Sequence, residues 1–232
     1  RITVPEWSEI ETNYPSSTGS GLSHLMNGYE AKAEGGKLIL WHGVPGTGKT
    51  FALRALAAAW SDWCDLHYVV DPAQFFGGTA EYLFSVVLGE DQMETPSNGR
   101  EVDSTDGHPP RERWKLIVCE DTGELLSSDA KQQTGQALGR FLNLCDGLVG
   151  QGLNIQILVT TNQELNHFHP AVTRNGRVAS NIKFERFGRD VARPWLSTRG
   201  FDGALMETRY TLAEMFALVS GEELVVSQEV GF

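Results

Sequence analysis

Residues 43–50 read Gly43-Val44-Pro45-Gly46-Thr47-Gly48-Lys49-Thr50, which is a complete G-x-x-x-x-G-K-[ST] phosphate-binding loop. An apolar run at 38–41 precedes the loop, and an alanine-rich run at 51–60 follows it. These flanks predict a buried strand and a helix, which is the context in which this motif binds phosphate. A chance glycine-rich turn would lack both flanks, so the stretch predicts binding of a nucleoside triphosphate.

The residue types of this loop explain how it would hold phosphate. Glycines let the backbone wrap closely around an anion because they have no Cβ atom. The N–H groups at the start of the following helix then face the phosphates. Lys49 would reach the β- and γ-phosphates, and the Thr50 hydroxyl would hold Mg²⁺. The predicted nucleotide-binding residues are therefore Gly43–Thr50 with Phe51, and the predicted ligands are a nucleoside triphosphate and Mg²⁺.

Length and composition limit the classes of protein to which this chain can belong. It has 232 residues, of which 41% are hydrophobic, and this is enough for one α/β domain with a small second domain. The net charge is −11. Binding to a broad nucleic-acid surface needs clustered Lys and Arg, so this charge argues against nucleic acid as a partner. Cys64, Cys119 and Cys145 lie in apolar segments without Cys-x-x-Cys spacing, which favours buried thiols in a reducing compartment.

Targeting signals are absent from the sequence itself. No apolar stretch approaches the roughly 18 residues of a membrane-spanning helix, and no secretory signal is visible. We therefore predict no membrane segment in these residues and a cytoplasmic location. The first residue is Arg1 rather than Met, so we expect a piece of a longer protein. A membrane anchor upstream of Arg1 stays open.

Strand-like apolar runs alternate with helical patterns through most of the chain. Strands are predicted at 38–41, 66–70, 114–121, 155–162 and 182–184, with helices between them. This alternation predicts a three-layer α/β fold with a parallel sheet, the fold of a P-loop NTPase. The pattern is only helical after Asp190, which predicts a large domain over 1–187 and a short C-terminal helical lid over 188–232. A polar, turn-rich insertion is predicted at 89–113.

Two of the predicted strands end in polar residues. Glu120 and Asp121 close the strand at 114–121, and Asn162 closes the strand at 155–162. Parallel α/β sheets bind ligands at the carboxyl ends of their strands, so these groups are expected at the same edge as the phosphate loop. One carboxylate would hold Mg²⁺ and the other would orient the attacking water, to which Asn162 could hydrogen-bond.

The ordered set of motifs resembles the AAA branch of the AAA+ ATPases, and the resemblance covers most of the chain. Gly43–Thr50 matches the Walker A motif, Leu116–Asp121 matches Walker B, and Asn162 matches sensor 1. The resemblance implies an ATPase that converts ATP and water to ADP and phosphate. It also implies a homo-oligomeric ring, expected to be hexameric, that remodels polypeptide substrates.

The second region of homology of that family is also recognisable. Phe141–Gly147 is similar to its helix, and His169–Arg177 is similar to its closing box. In the family, two arginines of this box complete the active site of a neighbouring subunit. Arg174 and Arg177 stand at these positions. The pattern is most similar to the branch that contains mitochondrial inner-membrane translocating chaperones.

The acidic pair departs from the family pattern, which usually has Asp before Glu. Glu120 would then meet Mg²⁺ and Asp121 would be the base, although an Asp side chain is one methylene shorter. We identify no sensor 2 arginine in the shortened lid. One alternative therefore stays open, a slow or non-hydrolysing nucleotide switch that serves as a scaffold.

The stretch Phe75-Phe76-Gly77 admits two interpretations. It is similar to the aromatic–hydrophobic–glycine pore loop of family members that thread polypeptide, and the two following glycines favour an exposed loop. The alternative is that both rings pack into the core. We favour the pore loop, and its lack of basic residues argues against a second alternative, a nucleic-acid-loading ATPase.

Overall fold

A five-stranded parallel sheet forms the centre of the fold in the computed structural model, which describes residues 5–88, 113–128, 132–146 and 153–222. The strands are β1 (Leu38–His42), β2 (Cys64–Val69), β3 (Trp114–Cys119), β4 (Ile155–Thr161) and β5 (Val178–Lys183), in the spatial order β2-β3-β4-β1-β5. The predicted α/β class is confirmed. The insertion predicted at 89–113 lies, except for Arg113, outside the described residues.

The strands β1 and β4 are mostly apolar because they are buried in the sheet. Every residue of β1 and of β4 is buried, because a parallel sheet in an α/β fold carries helices on its faces. The central pairing of β3 with β4 places Ile117 beside Ile157 and Cys119 beside Val159. β2 is the edge strand and pairs with β3 alone, and only its first and last residues, Cys64 and Val69, are buried.

Helices alternate with the strands along the described chain. The described residues form helices at Trp7–Ile10, Ser16–Asn27, Lys49–Ala59, Pro72–Gly77, Ala80–Leu88, Gly123–Leu126, Gln132–Asp146, Arg189–Ser197 and Leu212–Ser220. Short 3₁₀ turns occur at Glu11–Asn13 and Leu165–His167, and a two-stranded ribbon pairs β6 (Phe187–Gly188) with β7 (Arg209–Tyr210). None of the described helices has the length and apolar character needed to cross a membrane.

Residue contacts divide the chain into two compact units. One comprises Arg1–Tyr29, Trp41–Ala59 and Ile182–Phe232, and the other comprises Glu30–Leu40 and Trp60–Asn181. The first unit contains a small hydrophobic cluster, built from residues 187–215 around Trp195 and Met215. The second contains the larger cluster, which includes buried residues of β3 and β4. The helical lid proposed over 188–232 stays a prediction.

The expectation that Phe75 and Phe76 lie on an exposed loop is wrong. Both side chains are 0% exposed, and both belong to the larger hydrophobic cluster. Asp71 caps a helix here by accepting a hydrogen bond from the Gln74 N–H at 2.9 Å, and proline is favoured in the first turn that follows such a cap. The glycines therefore end a short helix, and the Phe76 ring packs edge-on against Phe141 with centroids 5.2 Å apart.

Candidate functional site

The phosphate loop has a backbone that glycine alone adopts without strain. Gly43, Gly46 and Gly48 have φ angles of +139°, +78° and +93°. A Cβ atom at Gly43 would collide with the Phe184 carbonyl oxygen, and one at Gly48 would lie 2.9 Å from the Leu212 side chain. Side chains at these positions would therefore both strain the backbone and displace the neighbouring chain. This close wrapping is what the motif predicts for a loop that cradles an anion.

Lys49 directs its charge at the inner side of this loop. Its ammonium donates hydrogen bonds to the carbonyl oxygens of Gly43 at 2.6 Å and Val44 at 3.1 Å. The Thr47 hydroxyl donates to the same Val44 carbonyl at 2.8 Å, which holds the turn closed. The helix Lys49–Ala59 begins at this point, and the N–H groups of its first turn together with the helix dipole favour an anion. The loop thus combines a cation with backbone donors, as a phosphate site requires.

Two other segments support the loop from outside. The Ala213 N–H donates to the Gly46 carbonyl at 2.9 Å, at the start of the helix that Thr211 caps. The Tyr14 hydroxyl donates to the Gly48 carbonyl at 3.1 Å. Burial raises the pKa of Tyr14, so this hydroxyl keeps its proton. The sequence indicates neither support, because neither residue belongs to a motif and each becomes a neighbour of the loop only in the folded chain.

The end of β3 brings Asp121 and Asn162 together, as predicted. The Asn162 side-chain amide donates to the Asp121 carboxylate at 3.3 Å, and the Asp121 N–H donates to the Thr160 hydroxyl at 3.2 Å. Asp121 has a φ of +53° and is the one non-glycine residue with positive φ in the described part of the chain. This left-handed conformation is uncommon outside glycine, although Asp and Asn tolerate it. The hydrogen bonds to Thr160 and from Asn162 therefore support an uncommon backbone conformation at Asp121.

Glu120 has a different partner from Asp121. Its carboxylate accepts a hydrogen bond from the Tyr68 hydroxyl at 3.0 Å, across the pairing of β2 with β3. Partial burial and this bond to Glu120 both raise the pKa of Tyr68. The two adjacent acids are thus held separately, one by a hydroxyl and one by an amide. Tyr68 is a site residue that no sequence motif indicates. Its one signal in the sequence is its place near the end of a predicted strand.

We expect Tyr68→Phe to lower ATP turnover by about three- to tenfold, because a net hydrogen bond contributes about 1 kcal/mol. The side chain is 52% exposed, so the substitution should leave the fold unchanged. The measurement is steady-state ATP hydrolysis over a titration of Mg²⁺. Tyr82→Phe makes the same chemical change on the helix Ala80–Leu88 and serves as the matched control. Equal turnover by the two variants would show that the Tyr68 hydroxyl has no part in the reaction.

The two arginines of the predicted closing box lie on one cleft but in different surroundings. The cleft has a volume of about 740 Å³ and is lined by Lys37, Cys145, Arg174 and Arg177, among others. Arg174 is exposed, whereas Arg177 is partly buried and donates to the Ala171 carbonyl. The Lys37 ammonium donates to the Leu153 carbonyl at 3.0 Å and lies 5.2 Å from the centre of the Trp114 ring, and burial lowers its pKa.

The parallel sheet and the glycine-cradled loop before a helix are those of the P-loop NTPase fold. The family model for the ATPase family associated with various cellular activities (AAA) matches residues 39–186, which is more than half of the chain. The chain belongs to this family of nucleotide-binding ATPases, as the order of its motifs predicted. No match was found among the curated proteins.

Among solved structures, a chain of the E. coli MS115-1 HORMA:CdnC:Trip13 complex is similar to this one. The TM-score is 0.56 at 17% sequence identity, over 86% of this chain and 73% of that chain. At this level of identity the likeness concerns the fold alone. It agrees with the α/β class described above.

Proposed function

We propose that this chain is an ATP-hydrolysing AAA motor that assembles into a homo-oligomeric ring, with six copies expected, and remodels protein substrates. The observation that carries the proposal is the arrangement at Asp121. Its carboxylate is hydrogen-bonded by Asn162, and its backbone is held by Thr160 in the left-handed region. Conformations of this kind cluster at functional sites, where the surrounding structure compensates for their cost.

The chemistry assigned to these residues is hydrolysis of the terminal phosphoanhydride bond. Lys49 and the loop N–H groups would bind the triphosphate, and Asp121 would accept a proton from water. The water oxygen would form a bond to the γ-phosphorus while the bond to the β–γ bridging oxygen breaks, so the products are ADP and phosphate. Asn162 would orient the carboxylate or the water.

Mg²⁺ is the proposed metal, because it prefers oxygen ligands. The Thr50 hydroxyl and the Glu120 carboxylate would supply such oxygens, and Tyr68 donates a hydrogen bond to Glu120. When bound, the ion neutralises charge that develops on the phosphates. This division gives Glu120 the metal and leaves Asp121 as the base, in the order proposed from the sequence.

Arg174 is proposed to complete the site of a neighbouring copy. It is exposed on its own chain, so its guanidinium is accessible to a second copy. An interface of this head-to-tail kind closes into a ring when the rotation between copies allows it. The non-hydrolysing scaffold is the weaker candidate. The hydrogen bond from Asn162 orients the Asp121 carboxylate, as a general base requires.

A protein substrate is proposed on two grounds. The chain's acidic net charge of −11 argues against nucleic acid, and a similar solved structure is a HORMA:CdnC:Trip13 complex. Threading by Phe75-Phe76-Gly77 is not part of the proposal, because both rings are buried in the core. A reducing location such as the cytoplasm is proposed because the three cysteines are buried and form no disulfide.

The test of this proposal is ATP turnover measured over a range of chain concentrations. Because Arg174 acts on a neighbour, turnover per chain should rise with concentration as the ring closes, and bound ATP should promote assembly by linkage. Light scattering of the same samples gives the assembly mass. The Arg174→Ala chain is the control and should stay slow at every concentration. A turnover per chain that does not change with concentration would contradict the ring.

A further inference from the structure

We propose that the two arginines of the cleft have separate roles. Arg174 alone meets the nucleotide of the neighbouring copy, and Arg177 is a positioning residue that holds the loop carrying Arg174. This inference rests on the proposed function, since it assumes that Arg174 acts on a second copy. It changes the role given to Arg177, which the sequence predicted as a second catalytic arginine.

The main chain of Arg177 is fixed at the entrance to β5. Its carbonyl accepts a hydrogen bond from the Leu38 N–H at 3.0 Å, which joins this position to the sheet. The backbone of the next two residues passes so close to Gly36 that a Cβ atom there would lie 2.7 Å from the Val178 carbonyl carbon and the Ala179 nitrogen. The backbone of Arg177 is therefore held in place by its neighbours in the sheet.

The side chain of Arg177 turns back onto its own loop. Its Nη1 donates to the carbonyl of Ala171, six positions earlier in the chain, and its backbone N–H donates to the Arg174 carbonyl at 3.2 Å. The segment 171–177 is anchored further by Val172, whose side chain is 0% exposed and packs in the larger hydrophobic cluster. The guanidinium of Arg177 thus closes the loop that carries Arg174.

Arg174 stands at the exposed part of this closed loop. The chain turns at Gly176, where φ is +91° and nothing lies within 4 Å of a Cβ position. Among the described residues that line the cleft, Lys37 is bonded to Leu153 and Arg177 to Ala171, whereas the Arg174 side chain is exposed. An arginine that reaches a phosphate must be accessible, and its planar fork must arrive at a defined angle. Arg174 is accessible. The hydrogen bond from Arg177 to the Ala171 carbonyl fixes the loop and so the direction from which the Arg174 guanidinium reaches the phosphate.

A double-mutant cycle in ATP turnover separates the two roles, with all chains assembled at saturating concentration. Arg174→Ala should lower turnover by about 10³-fold or more, the effect of removing a catalytic arginine. Arg177→Ala should lower it by roughly 10- to 100-fold, because the loop then holds Arg174 less accurately. The double variant should be no slower than Arg174→Ala, since Arg177 has nothing left to position. A double variant slower by the full Arg177→Ala factor would overturn the inference.

ATP turnover of conservative variants distinguishes a positioning role from a general loss of structure. Arg177→Lys can still donate to the Ala171 carbonyl and should restore most of the turnover. Arg174→Lys lacks the planar fork and should stay near the level of Arg174→Ala. Gly176→Ala strains the same loop at its positive φ and should reproduce the Arg177→Ala defect. If Arg177→Lys is as slow as Arg177→Ala while its melting temperature is that of the wild type, Arg177 is a second catalytic arginine.

The outcomes also distinguish this inference from the proposed function. Normal turnover by Arg174→Ala, with no dependence on concentration, would remove the ring motor itself. A slow Arg174→Ala chain combined with an independent, multiplicative effect of Arg177→Ala would leave the motor and remove only the positioning role. If Arg177→Ala does not fold, turnover of the Arg177→Lys and Gly176→Ala variants, each with and without Arg174→Ala, gives the same comparison.

Discussion

Replacement of Lys49 by alanine is expected to abolish ATP binding and to leave the fold intact. Lys49 donates to two carbonyls of its own loop and is partly exposed, so its ammonium lies outside the hydrophobic core. Each hydrogen bond that its charge makes to phosphate contributes about 1.5–3 kcal/mol, so the loss of two corresponds to at least about 100-fold in affinity. Calorimetric titration with Mg-ATP measures this effect.

Thermal unfolding gives an independent reading of the same variant. Wild-type stability should rise with ATP, by about 2.7 kcal/mol at a ligand concentration 100 times the dissociation constant. The Lys49→Ala chain should unfold near the ligand-free wild-type temperature whether or not ATP is present. Lys32→Ala removes an exposed lysine outside the loop and is the matched control. Unchanged ATP affinity in Lys49→Ala would refute the assignment of the phosphate loop.

Asp121→Asn is expected to trap bound ATP. Removal of a general base typically costs 10²- to 10⁴-fold in rate, and we expect a loss of roughly that size. ATP affinity should persist, because Asp121 is proposed to act on water rather than on phosphate. Asn tolerates the left-handed backbone at this position, so the fold should be retained. Single-turnover hydrolysis, followed by analysis of the nucleotide retained on the protein, measures both quantities.

Glu120→Gln is the matched change at the neighbouring acid. It should raise the Mg²⁺ concentration needed for half-maximal activity, because Gln is a weaker ligand than a carboxylate. The bond from Tyr68 to Glu120 provides a second reason, since the Tyr68 hydroxyl would lose its charged acceptor. If Glu120→Gln alone traps ATP with normal metal affinity, the roles of the two acids are reversed.

Local patterns were sufficient to predict the elements that contain the motifs. The glycines of the phosphate loop have positive φ angles, as a loop that wraps an anion requires. The apolar runs before the loop and before the acidic pair form the buried strands β1 and β3. Asp121 and Asn162 meet because neighbouring parallel strands end at the same edge of a sheet. These predictions needed only the period and the polarity of short segments.

The predictions that failed or were incomplete concern contacts between distant parts of the chain. The glycines after Phe75 and Phe76 suggested a loop, but Asp71 and Pro72 begin a helix whose rings fill a space beside Phe141. The support that Tyr68 gives to Glu120 depends on the register of β2 against β3. Asp71 followed by Pro72 is a local helix-start pattern that was overlooked, whereas the packing of the rings beside Phe141 and the register of β2 arise only in the folded chain.

The central claim, that an exposed arginine of one copy completes the site of the next, is tested most directly by mixing two inactive chains. An Arg174→Ala chain and an Asp121→Asn chain should each hydrolyse ATP slowly when alone. In an equal mixture of randomly assembled rings, about a quarter of the interfaces pair an intact Arg174 with an intact Asp121. We predict that turnover recovers in proportion to these interfaces. A mixture no more active than the sum of its two components would contradict the account.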